Sequence, residues 1–177
     1  MEIQPRSSST SHTLSFMDPA LAPWVLVSEV YWMSYKLLER RFHSLGILPS
    51  QARVLLVLHY STGPIRLSRV ATLLFEETQR VTGIIERIRS RGWVERKPNP
   101  DDRRSVGFEL TDEGRKVAEE IVQISHALYD ELFKGALTKT ERHQVEIALR
   151  KVRAIGFKLP ETDVKLRRAE QYAIWND

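Results

Sequence analysis

Two adjacent arginines, Arg103 and Arg104, follow two aspartates in the stretch PNPDDRRS, residues 98–105. A guanidinium is planar, permanently charged and forked, so it pairs with phosphate or carboxylate and is drawn into the narrow, electronegative minor groove of DNA. A solvated polar loop with a local ion pair is the plainer reading of the same residues. The flanking sequence decides between them. Trp93 to Lys97 and Ser105 to Leu110 alternate like two strands, which puts the arginines at the tip of a hairpin. Basic charge is also concentrated nearby. Between Arg66 and Arg104, ten Lys and Arg stand against six Asp and Glu, an excess of four that matches the +4 of the whole chain. From Lys158 onward the charges balance. This placement suits a polyanionic partner.

Other chemistries find little support. The 177 residues include no cysteine, so disulfides, thiolate zinc sites, iron–sulfur clusters and thiol redox sensing are excluded. The five histidines (His12, His43, His59, His126, His143) are scattered and contain no HExxH-like pair, so neither a metal nor a cofactor is expected. No phosphate-cradling glycine loop and no Ser/His/Asp spacing stands out, and no enzymatic activity is expected. The apolar stretch Trp24–Leu38 is interrupted by Ser28, Glu29, Ser34 and Lys36, too soon for a membrane span. The opening MEIQPRSSSTSHTL lacks the apolar core of a secretory signal, so the expected location is the cytoplasm, with no membrane partner.

The elements that must carry the arginines follow from periodicity. Residues 1 to about 17 are Ser/Thr-rich and read as a flexible tail. Pro23 to His43 is helical and apolar on more than one face (Trp24, Leu26, Val27, Val30, Tyr31, Met33, Leu37, Leu38, Phe42), which in a chain this short points to burial by a second subunit. A second helix starts near Pro49 and Ser50 and stops before Gly63-Pro64. LSRVATLLF predicts a short helix and ETQRVTGIIERIRSRGW another, with Val81, Ile84, Ile85 and Ile88 on one stripe and Gly92 as its C-terminal stop. After the hairpin, Thr111 is an N-cap with Asp112 and Glu113 behind it. The helix it starts runs to about Gly135, with Val117, Ile121, Ile124, Leu128 and Leu132 in a coiled-coil-like seam. Thr138 and Glu141 make a capping box for a last helix through about Phe157, with Val145, Leu149, Val152 and Ile155 as its stripe.

Two short helices followed by an arginine-tipped hairpin describe a winged helix-turn-helix. The stretch from Leu67 to Ala118, LSRVATLLFEETQRVTGIIERIRSRGWVERKPNPDDRRSVGFELTDEGRKVA, resembles the DNA-binding core of the MarR family of transcriptional regulators. Its most specific pieces are RGWVERKPNPDDRRS and LTDEGR, and the flanking helices extend the resemblance to about residues 24–157. It implies a mainly α fold with a small β-hairpin wing, a winged helix-turn-helix with N- and C-terminal dimerisation helices. The expected division is a tail over 1–17, a dimerisation helix within 18–48, the DNA-binding lobe over 49–110, C-terminal dimerisation helices over 111–157 and a second tail over 158–177. The implied function is a homodimeric, sequence-specific regulator of transcription, a ligand-responsive repressor on a pseudo-palindromic operator in double-stranded DNA.

The resemblance also implies site residues. The family's wing carries an acid and, two residues on, an arginine, matched here by Asp101 and Arg103: the acid braces the loop and the arginine enters the minor groove. Arg104 then meets a phosphate or a neighbouring acid. On the recognition helix the family's contact positions fall on Thr78, Gln79, Arg80, Thr82 and Gly83. Gln79 suits adenine, Arg80 guanine or phosphate, and Thr82 a phosphate or a thymine methyl. Gly83 stands where many relatives carry a long side chain, and Glu77 replaces a small polar cap. Ser68 and Arg69 begin the preceding helix and are candidates for phosphate. Arg87 is a further phosphate candidate, whereas Arg89 and Arg91 fit a solvated face better. Family members often bind a small aromatic anion between the dimerisation helices and the lobe, which makes Trp24, Tyr31, Tyr35 and His59, with Trp32 and Tyr60 beside them, candidates to line an effector site. Ordinary core packing is the alternative for these aromatics. The alternative for the whole chain is a winged-helix module that uses its basic face for protein partners.

Overall fold

The computed structural model describes residues 18–99 and 102–159, with backbone alone at Asn99 and at 102–105. The chain divides into two compact units, one ending at Lys36 and the other beginning at Leu37. In the first, Asp18 caps a short 3-10 turn, Pro19–Leu21, by accepting the Ala20 N–H at 2.9 Å. The turn leads into α1, Ala22–Phe42. No described residue of this unit is buried; Trp24 is 71% exposed.

The second unit holds the core. α2 (Pro49–His59) starts on Pro49, whose missing N–H is no loss at a first helical position, and the Leu48 N–H donates to the Gln51 side chain at 2.9 Å. α3 (Leu67–Leu74) and α4 (Thr78–Ser90) are joined by a three-residue turn. Val54, Leu55, Val70, Val81, Ile85, Ile88, Ala118 and Ile121 are fully buried together, the larger ones worth about 1.5–3 kcal/mol each. Gly92 follows α4 at φ 77, in the left-handed region a side chain resists, and the Trp93 N–H closes the cap by donating to the Ile88 carbonyl at 3.3 Å. The chain then reverses into the hairpin.

The hairpin arms are longer than the alternation predicts. β1 is Val94–Asn99 and β2 is Asp102–Leu110, paired antiparallel with Val94 opposite Leu110 and Arg96 opposite Phe108. Pro98 pairs with Val106 because proline lacks only the N–H and is tolerated on an edge strand. The backbone of Arg103 and Arg104 belongs to β2, but the register shifts there: Pro98 pairs with Val106 and Asn99 with Asp102, so residues 103–105 bulge out of the ladder. Ile65 adds a bridge that periodicity does not reveal: its N–H donates to the Phe108 carbonyl at 3.0 Å and the Phe108 N–H returns the bond at 2.9 Å.

Thr111 ties this lobe to the next helix. Its hydroxyl accepts the Gly114 N–H at 3.0 Å and donates to the Gly92 carbonyl at 2.7 Å, while its own N–H reaches the Trp93 carbonyl at 3.0 Å. The approach is so close that a Cβ on Gly114 would lie 1.9 Å from the Trp93 oxygen. α5 (Asp112–Tyr129) buries Ala118, Ile121 and Leu128 and continues through a π-helical turn, Asp130–Lys134. The widened turn interrupts the single regular helix expected to residue 135. The Arg41 Nη2 donates to Glu131 in that turn at 2.5 Å. α6 (Lys139–Gly156) carries the expected capping box: the Thr138 hydroxyl accepts the Glu141 N–H, and the Glu141 carboxylate accepts the Thr138 N–H at 2.8 Å. The Thr138 hydroxyl also donates to the Glu141 carboxylate at 2.7 Å, and this bond first, then the one from the Thr138 N–H, holds the Glu141 carboxyl below its ordinary range. α6 buries none of its residues, and its stripe of Val145, Leu149, Val152 and Ile155 is exposed.

Candidate nucleic-acid interface

The sequence of α4 divides the helix into two faces. Val81, Ile84, Ile85 and Ile88 point into the core, and the opposite face presents Gln79, Arg80, Thr82, Gly83 and Arg87 as exposed residues, with Thr78 half-buried at its start. Ser68 and Arg69 are exposed in the first turn of α3. Nothing lies within 4 Å of where a Gly83 Cβ would project, so no contact inside this chain requires the missing side chain. Glu77 is the N-cap of α4 but makes no side-chain cap bond, consistent with its being a poor substitute for a small polar residue. The Thr82 hydroxyl donates to the Thr78 carbonyl at 2.8 Å, which turns its proton inward.

Arg80 is not an isolated cation. Its Nη1 lies 3.4 Å from Glu76 Oε2, and the other oxygen of that carboxylate lies 3.4 Å from Arg53 Nη1. Arg53 also donates to the Leu74 carbonyl at 2.6 Å, closing the last turn of α3. Between these groups sits Phe75, at φ 56 in the left-handed region and with its ring stacked on Phe157 at 6.0 Å between centroids. Nothing in the linear sequence links Arg53 to this turn, because the contact spans more than twenty residues.

A second carboxylate, on the polar face of α4, stands between that helix and the wing. Glu86 Oε2 accepts from Arg89 Nε at 2.9 Å and Nη2 at 2.7 Å, and its Oε1 accepts from Arg96 Nη2 of β1 at 2.8 Å. Hydrogen bonds from Arg89 and then Arg96 hold the Glu86 carboxyl below the usual glutamate range. Arg91 donates to the Gly46 carbonyl at 2.8 Å and lies 4.9 Å from the Trp93 ring centroid. Arg89 and Arg91 thus each have partners within the chain. Arg103 and Arg104 enter β2 at its tip end, and Asp101 lies outside the described residues.

The candidate effector residues fall into two groups. On α1 the rings of Tyr31, Trp32 and Tyr35 cluster within 5.4–6.3 Å of one another, with Trp24 exposed further up the helix. On α2, His59 stands 5.0 Å from Tyr60, ring to ring. Among the described residues no group of three or more His, Cys, Asp or Glu could hold a metal ion, and no helix is long and apolar enough to cross a membrane.

Known proteins share this arrangement. The model of the MarR family matches residues 45–105, from the approach to α2 through the tip of the wing. The chain is 32% identical over 120 residues to the multiple antibiotic resistance protein MarR of Escherichia coli (strain K12), covering 66% of this chain and 81% of that protein. It is 31% identical to the transcriptional repressor MprA of the same strain, covering 68% and 70%. A point mutant of E. coli MarR, crystallised in complex with operator DNA, superimposes with a TM-score of 0.65 at 31% identity over 76% of this chain and 94% of that one. CouR from Rhodococcus jostii RHA1, crystallised with p-coumaroyl-CoA, has the same fold, with a TM-score of 0.68 at 22% identity over 76% and 95%. Exposed recognition helix, antiparallel wing and relatives agree: the chain belongs to the MarR family and is a DNA-binding transcriptional regulator.

Proposed function

We propose that this regulator acts as a homodimer on a pseudo-palindromic operator and represses transcription until a small aromatic or anionic effector binds. The observation that carries the reading is the polar face of α4, where Gln79, Arg80, Thr82, Gly83 and Arg87 are all exposed opposite a fully apolar inner face. In this reading Gln79 addresses adenine bidentately and Arg80 leaves Glu76 for guanine or a phosphate. Thr82, with its proton committed to Thr78, offers its methyl group to thymine better than its hydroxyl to a phosphate. Ser68, Arg69 and Arg87 take phosphates. Arg103 enters the minor groove with Asp101 bracing it, and Arg104 meets a phosphate. Two lobes related by a twofold axis read half-sites about one helical turn apart.

The exposed apolar residues of α1 and α6 supply the surface for self-association. Trp24, Tyr31, Tyr35 and His59 are the effector candidates. An effector shifts the equilibrium only by the difference in its affinity for the DNA-competent and DNA-incompetent states, so a tenfold loss of operator affinity needs a preference of at least about 1.4 kcal/mol. With no cysteine in the 177 residues, that trigger is not a thiol switch. The protein works in the cytoplasm and catalyses no reaction.

Selection from a library of random duplexes tests the proposal. Enrichment of an inverted repeat with half-site centres about 10 base pairs apart is expected. No enrichment over random sequence would favour a protein-interaction module instead.

A further inference from the structure

We propose that Glu86 is a positioning residue that fixes the wing relative to the recognition helix, through the carboxylate it shares between Arg89 of α4 and Arg96 of β1. The proposal rests on the DNA-reading function above and assigns a role inside it. Glu86 lies one turn before the end of α4, and Arg96 lies two residues into β1, past the reversal at Gly92. The 2.8 Å bond from Arg96 to Glu86 therefore closes a triangle whose other corner is the glycine turn. Arg96 is itself held from the far side. Its guanidinium stands 5.7 Å from the ring centroid of Phe108, its cross-strand partner, and Phe108 is bonded through both backbone groups to Ile65, just before α3. A line of contacts thus runs from α4 through Glu86, Arg96 and Phe108 to the entry of the helix-turn-helix.

The arrangement is not needed to hold the lobe together. Both partners keep contact with solvent, Arg96 with 54% of its side chain exposed and the half-buried Glu86 with 38%, and solvent-exposed ion pairs add little to stability. Its effect is preorganisation: a wing already aimed loses less freedom when it docks. Because the two arginines keep the Glu86 carboxyl below its ordinary range, the contact is complete at neutral pH and is lost only on acidification through that depressed range.

The sign of one substitution separates this role from simple charge. Glu86 is an acid on the recognition helix. If it were only a charge among the cations, Glu86→Gln would strengthen DNA binding by removing repulsion and freeing two arginines. If it is the brace, Glu86→Gln weakens binding by roughly threefold to tenfold. The test uses the full chain in two measurements. Amide hydrogen exchange on the free protein should show faster exchange through β1 and β2 in Glu86→Gln, with α2 and the buried stripe of α4 unchanged. The exchanged pair, Glu86→Arg with Arg96→Glu, should recover wing protection relative to either single variant. Titration with the operator duplex should then show the weaker binding of Glu86→Gln. Unchanged wing exchange, or Glu86→Gln binding as tightly as the parent or tighter, would overturn the proposal. If the parent itself shows no salt-sensitive duplex binding, the DNA-reading function fails, and the exchange data still judge the brace.

Discussion

In the lobe built from α2, α3, α4 and the wing, Val54, Leu55, Val81, Ile85 and Ile88 are shut away from solvent, whereas along α1 and α6 the equally apolar Trp24, Leu26, Val152 and Ile155 are each more than half exposed. The two regions draw on the same residue types and the same helical spacing. They differ in whether the chain itself provides a covering surface. The lobe satisfies its own polar groups as well, through the Thr111 cap on Gly92 and Gly114 and the Arg53 tie to Leu74. The long helices hold apolar area whose burial is worth about 1.5–3 kcal/mol per large side chain, and a second copy of the same chain is the covering surface that the proposed homodimer supplies. On that proposal, one region is finished by folding and the other by association.

Substitutions in each region test the contrast. Placing Asp at both Val152 and Ile155 puts two charges in the proposed interface; self-association measured by sedimentation should weaken by about a thousandfold, roughly 4 kcal/mol, while the near-ultraviolet signal of the lobe persists. An unchanged dimer would remove α6 from the interface. Ile85→Ala acts on the other side of the comparison, leaving a cavity in a closed core, and should cost about 3 kcal/mol in denaturant unfolding. A smaller effect belongs to Arg103→Ala, expected to weaken operator binding by about tenfold with dimerisation intact. The acid-to-arginine spacing of Asp101 and Arg103 recurs one residue later in Asp102 and Arg104, so Arg104→Ala run beside it tells which arginine enters the groove; a larger loss from Arg104→Ala would shift the wing assignment by one residue. Gly83→Ala should raise thermal stability, since helix-interior alanine is about 1 kcal/mol better than glycine and nothing blocks the new methyl. If DNA binding nonetheless falls, the glycine serves close backbone approach to the duplex.

What the sequence discloses is mostly local. The 3.6-residue stripe of Val81, Ile84, Ile85 and Ile88, the Thr111 cap and the Thr138–Glu141 capping box each depend on residues within one or two turns, and each occurs where the spacing predicts. The contacts that periodicity does not reveal join distant positions. Ile65 pairs with Phe108, Arg53 reaches Leu74, and Arg96 returns to Glu86 only because Gly92 reverses the chain. The wing arms outrun their alternating pattern because backbone pairing carries the ladder through Pro98, a residue that argues against a strand when read alone. In the candidate site the exposed face of α4 is legible from its periodicity, while the tie from Arg53 to the carboxylate that also engages Arg80 is not. Side-chain chemistry at the wing tip rests on the family resemblance, with Asp101 outside the described residues.

The central claim, that the basic lobe reads duplex DNA through phosphate and base contacts, is tested most directly by equilibrium binding to an operator duplex across a salt series. Each phosphate contact releases counterions and contributes about 0.9 to the slope of log affinity against log salt. A steep linear decline is expected, shallower by about one contact in Arg69→Ala. A flat response, with affinity independent of salt, would contradict it.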